Sequence, residues 1–270
     1  MQTMNRSIKL MGGLLVFGVL TSISSLPARS IERTLPPSTA LPVRFVHSVD
    51  ARKAKPGDVV TAKTLQVIVL PGGQRLPKGT LLKGHVVYAR PFRVDPAPYA
   101  EQKASRLSIR FDKIEQGDLI LPVNLSVRAL ANYLESEDAA APRYLDETDS
   151  LGTMVLIGGD EFSPLDKAIK NNNGDVIGYN RKKGVFGRLS ASDDAPSGAS
   201  GRCGPTTTEQ SLAIFSPSAC GLYGFVNESM PHTGRKGSGT FTLESRNHSV
   251  KLYSGSTALL QETEVQANQQ

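Results

Sequence analysis

Ser105-Arg106-Leu107-Ser108-Ile109-Arg110-Phe111-Asp112-Lys113-Ile114 is the stretch that decides the fold class. Leu107, Ile109 and Phe111 alternate with Arg106, Ser108, Arg110 and Asp112. A period of two turns one set toward a core and the other toward water, as in a half-buried antiparallel strand. Glu115-Gln116-Gly117-Asp118 then turns the chain. Leu119 to Leu130 returns with Leu121, Val123, Leu125, Val127 and Ala129 on one face. The pair reads as a hairpin with long arms.

The same chemistry continues on both sides. Val43, Phe45 and His47 alternate with Arg44, Val46 and Ser48, and Lys55-Pro56-Gly57-Asp58 is a turn. Val59 to Leu70 is rich in Val, Ile, Thr and Leu and reads as one long strand. In Leu76-Pro77-Lys78-Gly79-Thr80, Pro at the second place and Gly at the fourth predict a type I turn. Leu81 to Ala89 is the next strand. Gly84 in its interior predicts a bulge or a close backbone approach. Residues 91–104, with Pro91, Pro96 and Pro98, read as a long loop. Near the end, Thr240–Glu244, Ser249–Tyr253 and Ser256–Glu262 are strands, separated by turns at Arg246-Asn247 and Ser254-Gly255. Pro77, Gly79, Gly84, Gly117 and Gly255 are the residues expected to set the backbone turns. The expectation is an all-β fold, a barrel or bent β-sandwich, built from 43–130 and 239–262.

Regularity stops at Ala131. Residues 131–238 read as a long irregular insertion, with acids at Glu135, Glu137 and Asp138. Within it Ser163 and Pro164 predict a short helix over Leu165–Lys170. The Asn-Gly at 173–174 predicts a turn into a strand at Val176–Tyr179. Gly184-Val185-Phe186-Gly187 and Gly221-Leu222-Tyr223-Gly224-Phe225 flank a segment holding both cysteines, Cys203 and Cys220. In an exported chain these two are expected to pair. Closing that loop would stabilise the fold by about 3 kcal/mol.

Export is read from the N-terminus. Arg6 and Lys9 precede the apolar run Leu10 to Leu20, and small residues lead to Ala28. A positive end, a short apolar core and a small-residue exit make a secretory signal over 1–28. Ser24 and Ser30 are alternative ends. The run is shorter than the ~20 residues of a membrane span. An uncleaved anchor helix from Leu10 to Leu26 is the alternative. No Cys ends the run to carry a lipid. Residues 29–42 read as a proline-rich lead-in and 263–270 as a disordered tail. The expected location is periplasmic or secreted, with no stable membrane span after processing.

Removing the signal leaves about 240 residues, enough for one large β domain with an insertion. Hydrophobic residues make up 39% of the chain, and 25 Gly and 17 Pro favour many short strands. Arg6 and Lys9 leave with the signal and no acid does, so the formal charge falls from +6 to +4. The remaining cations mix with acids, apart from clusters at Arg52-Lys53-Ala54-Lys55, Arg181-Lys182-Lys183 and Arg235-Lys236. This lacks the stripe and module of a nucleic-acid reader.

No chemical motif stands out. His47, His85, His232 and His248 show no ligand spacing, and two cysteines do not close a zinc site. No Gly-x-Ser-x-Gly elbow occurs. Gly234-Arg235-Lys236-Gly237-Ser238-Gly239-Thr240 lacks the end of a phosphate loop, and a strand follows where a helix is needed. Asp160-Glu161 and Asp166 fail calcium-loop spacing, and Asp193-Asp194 reads as solvated. No metal or cofactor is expected. Paired catalytic carboxylates leave no local signature, so an envelope hydrolase stays as an alternative.

Asp50 to Lys63, Leu76 to Val86, the 105–130 hairpin and Val250-Lys251-Leu252-Tyr253-Ser254-Gly255-Ser256-Thr257-Ala258-Leu259-Leu260 resemble a group of uncharacterised exported bacterial proteins. More distantly they resemble the TrbI-like barrel domain of conjugal and type IV secretion complexes. The resemblance implies a β-barrel and a place in a secretion or conjugation assembly. That family adds an inner-membrane helix, a long stalk and a helical hairpin, which this sequence does not display. The reading from the residues themselves is a non-catalytic envelope scaffold or docking module. A partner would join through a sheet edge or the insertion, since strands split between the chain ends leave an edge to cover. Phe215, Leu222, Tyr223 and Phe225 are expected to cap that edge, with a binding face as the alternative.

Overall fold

The alternating stretch is a 12-residue strand in the computed structural model, and its Leu107, Ile109, Phe111 and Ile114 are at most 1% exposed. The structure describes residues 35–263 except 71–72, 95, 97, 99–100, 145–146, 148–149, 182–183, 193–202 and 232–238. The signal segment, His232, Asp193-Asp194, Lys182-Lys183, Arg235-Lys236 and most of the glycine-rich loop and tail lie outside them.

The first strands are β1 (Ala40–Phe45), β2 (Val49–Asp50), β3 (Val59–Thr64), β4 (Ile68–Val69) and β5 (Arg75–Leu76). Then come β6 (Leu81–Arg90), β7 (Ser105–Gln116), β8 (Leu119–Pro122) and β9 (Leu125–Ala131). The insertion holds helix α1 (Tyr133–Ala140) and β10 (Met154–Val155), β11 (Glu161–Phe162), β12 (Ala168–Lys170) and β13 (Val176–Arg181). It continues with β14 (Gly184–Gly187), β15 (Gln210–Ser211) and β16 (Gly221–Tyr223). The chain closes with β17 (Thr240–Ser245), β18 (Lys251–Leu252) and β19 (Thr257–Glu262).

The main sheet runs β16-β9-β19-β1-β3-β6-β7-β17, with β8 also on β7. Only Val123 and Asn124 separate β8, which pairs β7, from β9, which pairs β19. In a flat sheet β7 and β19 would stand about 19 Å apart, four strand spacings. Two linking residues span about 10 Å. The sheet therefore curls strongly. Its ladder stays open between β16 and β17, so the fold is a bent, sandwich-like all-β structure and not a closed barrel.

The crossing between β8 and β9 is bolted on both sides. Val123 N donates to Asp112 O at 3.0 Å, and Asn124 N to the Glu262 carboxylate at 3.0 and 3.2 Å. Thr263 N donates to Asn124 O at 2.9 Å. Burial pushes the Glu262 carboxyl up from 4.5 to about 7, opposed by the Asn124 N–H. The folded state thus holds this proton more tightly than the unfolded chain. Its stability contribution is complete below about pH 4.5 and is lost as pH rises through about 7. Glu262→Gln keeps an acceptor and removes the charge. It should stabilise the protein at pH 8 by up to about 3 kcal/mol, a gain that vanishes toward pH 4. Urea denaturation across pH checks this, and a gain independent of pH would contradict it.

Two apolar clusters form. Inside the curl sit Val43, Phe45, Leu82, Ile109, Phe111 and Leu260 with their neighbours, and the Phe45 and Phe111 rings lie 5.9 Å apart. Outside it, Ala40, Ala129, Ala131 and Leu259 face Leu156, Phe162, Val185, Leu212 and Phe215 of the insertion. The alanines let the insertion approach closely, so β1, β9 and β19 are buried on both faces.

Several expectations change. The first strand begins at Ala40, inside the supposed lead-in. Val59–Leu70 breaks after Thr64, because Gln66 reaches into the insertion. The helix at Leu165–Lys170 is absent. Asp166 N bonds back to Ser163 O, and Ala168–Lys170 pairs with β13 across the Asn171–Gly174 turn. The insertion is not irregular, since β12, β13, β14 and β15 form a sheet. The Pro77 turn lies one residue later. Thr80 N closes it on Pro77 O, and Gly79 takes the third place at φ 85°, as a type II turn requires.

Candidate functional site

A cleft of about 590 Å³ opens where the curled sheet meets the insertion. From the sheet come Arg44 of β1, Leu65, Gln66 and Val67 after β3, and Lys78 in the type II turn. Ala139 and Ala140 end α1 on another side. Met154, Leu156, Phe162, Val185 and Ile214 of the insertion form the far wall.

Gln66 fixes this geometry. It is 3% exposed; its Nε2 donates to Val185 O at 2.9 Å and its Oε1 accepts from Ala213 N at 3.0 Å. Gly184, at φ 123°, leaves the room: a Cβ there would lie 1.9 Å from Gln66 Oε1. The side-chain amide thus replaces missing backbone partners and joins the break between β3 and β4 to β14. Arg44 points outward from β1, half-exposed. Its Nε is buried with no hydrogen-bond partner among the described residues, and its Nη1 lies 3.9 Å from Glu137 Oε1.

Elsewhere the insertion is tied to β9 by Arg128, which is 3% exposed. Its guanidinium donates to the carbonyls of Ala219, Gly204, Ser190 and Pro217. Burial lowers its pKa to about 10, so it stays cationic at neutral pH. Cys203 and Cys220 form a disulfide across 17 residues beside it. Arg128 was not singled out from sequence; an Arg among Val127, Ala129 and Leu130 on a strand was the available signal.

The other expected site residues lie elsewhere. Pro77 and Gly79 flank Lys78 at the cleft. Gly84, Gly117 and Gly255 do not line it. Gly84 faces β7 where the register skips Asp112, so that Phe111 and Ile114 both turn inward. Gly117 and Asp118 form a two-residue hairpin loop. The Gly221-Leu222-Tyr223 strand runs parallel to β9 and covers that sheet edge. On the far side of β17, Ser229 and Glu244 exchange a pair of backbone bonds.

A second constellation has the residue types of a hydrolase. His248 Nε2 lies 2.9 Å from Glu228 Oε1, and His248 Nδ1 lies 3.3 Å from Ser245 Oγ. Burial raises the Glu228 pKa, against the lowering bond from His248. Yet Ser245 is 3% exposed, and its oxygen accepts from Asn247 N and His248 N. That is the bonding of a turn-closing serine. The group locks the turn after β17 to the 227–229 segment. His85 Nδ1 meets Asp112 Oδ2 at 2.7 Å on the surface, an exposed pair of small energetic weight. Among the described residues no cluster of three or more His, Cys, Asp or Glu is arranged for a metal. No described helix is long and apolar enough to cross a membrane.

Comparisons with protein families, with curated proteins and with solved structures found no match to this chain.

Proposed function

We propose that the chain is an exported, non-catalytic protein of the cell envelope, acting as a β scaffold and docking module with the cleft as its docking site. One observation carries this reading. A mostly apolar cleft sits where the curled sheet meets the insertion, and the buried Gln66 amide ties the two together across it. Concave apolar sites with a few placed polar groups are where binding concentrates. The disulfide suits an oxidising compartment, and the signal-like N-terminus supports export. The TrbI-like resemblance supports a place in a secretion or conjugation assembly as the alternative.

A photo-crosslinking residue placed at Val67, inside the cleft, and another at Ile120, exposed on β8, test the reading in intact cells. The Val67 position should give a discrete adduct and the Ile120 position none. No adduct at Val67, or identical patterns at both, would overturn it.

A further inference from the structure

The chemistry of the cleft lining narrows its occupant. Resting on the docking reading, we infer that the cleft binds a long-chain carboxylate, an apolar hydrocarbon tail with one anionic head. The tail side is built by Leu65, Val67, Met154, Leu156, Phe162 and Ile214, a wall with no side-chain polar atom. The charged groups among the described lining residues are Arg44 and Lys78, both cations. Charge complementarity therefore asks for an anion. Glu137 stands at the rim, 67% exposed and 3.9 Å from Arg44 Nη1, at the limit of an ion pair. It leaves the buried Arg44 Nε without an acceptor. An unpaired buried donor is destabilising, and a carboxylate oxygen would relieve it.

The same inventory argues against a peptide. An extended peptide brings a backbone donor and acceptor at nearly every residue. The Gln66 amide is already engaged with Val185 and Ala213, and the Asn180 amide donates to Pro164 O. Apart from Asn180 Oδ1, a peptide's N–H groups would find no free side-chain acceptor in this lining. A hydrocarbon tail has none to satisfy. The cleft volume also lies within the range of small-molecule sites.

Fluorescence titration of the purified protein with cis-parinarate tests this. The probe should bind, oleate should displace it, and oleyl alcohol should compete at least tenfold less well. Arg44→Ala and Lys78→Ala should each weaken binding about tenfold, the loss of one charge-assisted contact. Arg44→Lys should lose less, and Lys113→Ala, remote from the cleft, nothing. Lys78 is exposed in a turn, so its variant reports on binding even if the Arg44 variants fold poorly. No probe binding, equal competition by the alcohol, or full affinity in Lys78→Ala would overturn the inference. If the probe fails while the Val67 cross-linker captures a protein, the lipid identity falls and the docking reading stands. If both fail, both readings fall.

Discussion

Gly84→Val should destabilise the protein by more than about 4 kcal/mol, a large share of a domain's total stability. A Cβ at this position would lie 2.1 Å from Arg110 O and 2.8 Å from Phe111 Cα. Both are backbone atoms of β7, held by β6 on one side and β17 on the other. Neither can yield without breaking the ladder where the register skips a residue. Gly79→Ala is the contrast. Its φ of 85° makes any side chain strained, but open space surrounds it, so the expected loss is about 1 kcal/mol. Urea denaturation of both variants separates steric conflict from backbone strain. Gly84→Val within 1 kcal/mol of the parent, on that order of resolution, would show that the close approach is not needed.

Arg128→Met should be nearly as damaging, and more local. The substitution keeps a similar length but leaves the carbonyls of Ala219, Gly204 and Ser190 without their Arg128 donor, while Pro217 O keeps the Ser190 N–H. Each buried, unsatisfied group costs about 1–3 kcal/mol. Partial relaxation and water entry bring the expected total to about 4 kcal/mol. The loss falls on the segments around Leu189 and Ser216, which Arg128 ties to β9. Amide exchange there should rise well before exchange in β6 and β7. Reducing the disulfide should loosen the same segments, and the two perturbations should combine non-additively, since Arg128 and Cys220 hold one unit. Unchanged protection at Leu189 and Ser216 in Arg128→Met would contradict this role.

The hairpin around Gly117 was legible because one face of β7 meets a core and the other meets water, which leaves a period-two record. The skipped residue at Asp112 left no such mark. A bulge depends on the partner strand as much as on its own sequence. The insertion was less legible for a different reason. Its strands are two to six residues long, and their apolar partners, Ala129 and Leu259, lie on distant segments. Short strands backed by distant residues show no alternation. Helix α1 does carry a readable start signal. Asn132 accepts from Glu135 N at 2.9 Å, and an Asn followed three residues later by Glu marks a helix start. The helix has no apolar stripe, since its buried residues are Ser136 and Ala139. The cleft was illegible because its lining comes from many separate segments. In sequence Arg44 is simply an outward position on a strand.

The most direct measurement is methyl NMR of the labelled protein during titration with oleate. Shifts confined to the cleft methyls, Leu65, Val67, Met154, Leu156 and Ile214 among them, saturating together and needing about tenfold more oleate in Arg44→Ala, are the expected result. Shifts absent from these methyls, or spread equally to Ile120 on β8, would contradict a ligand site at the seam between sheet and insertion.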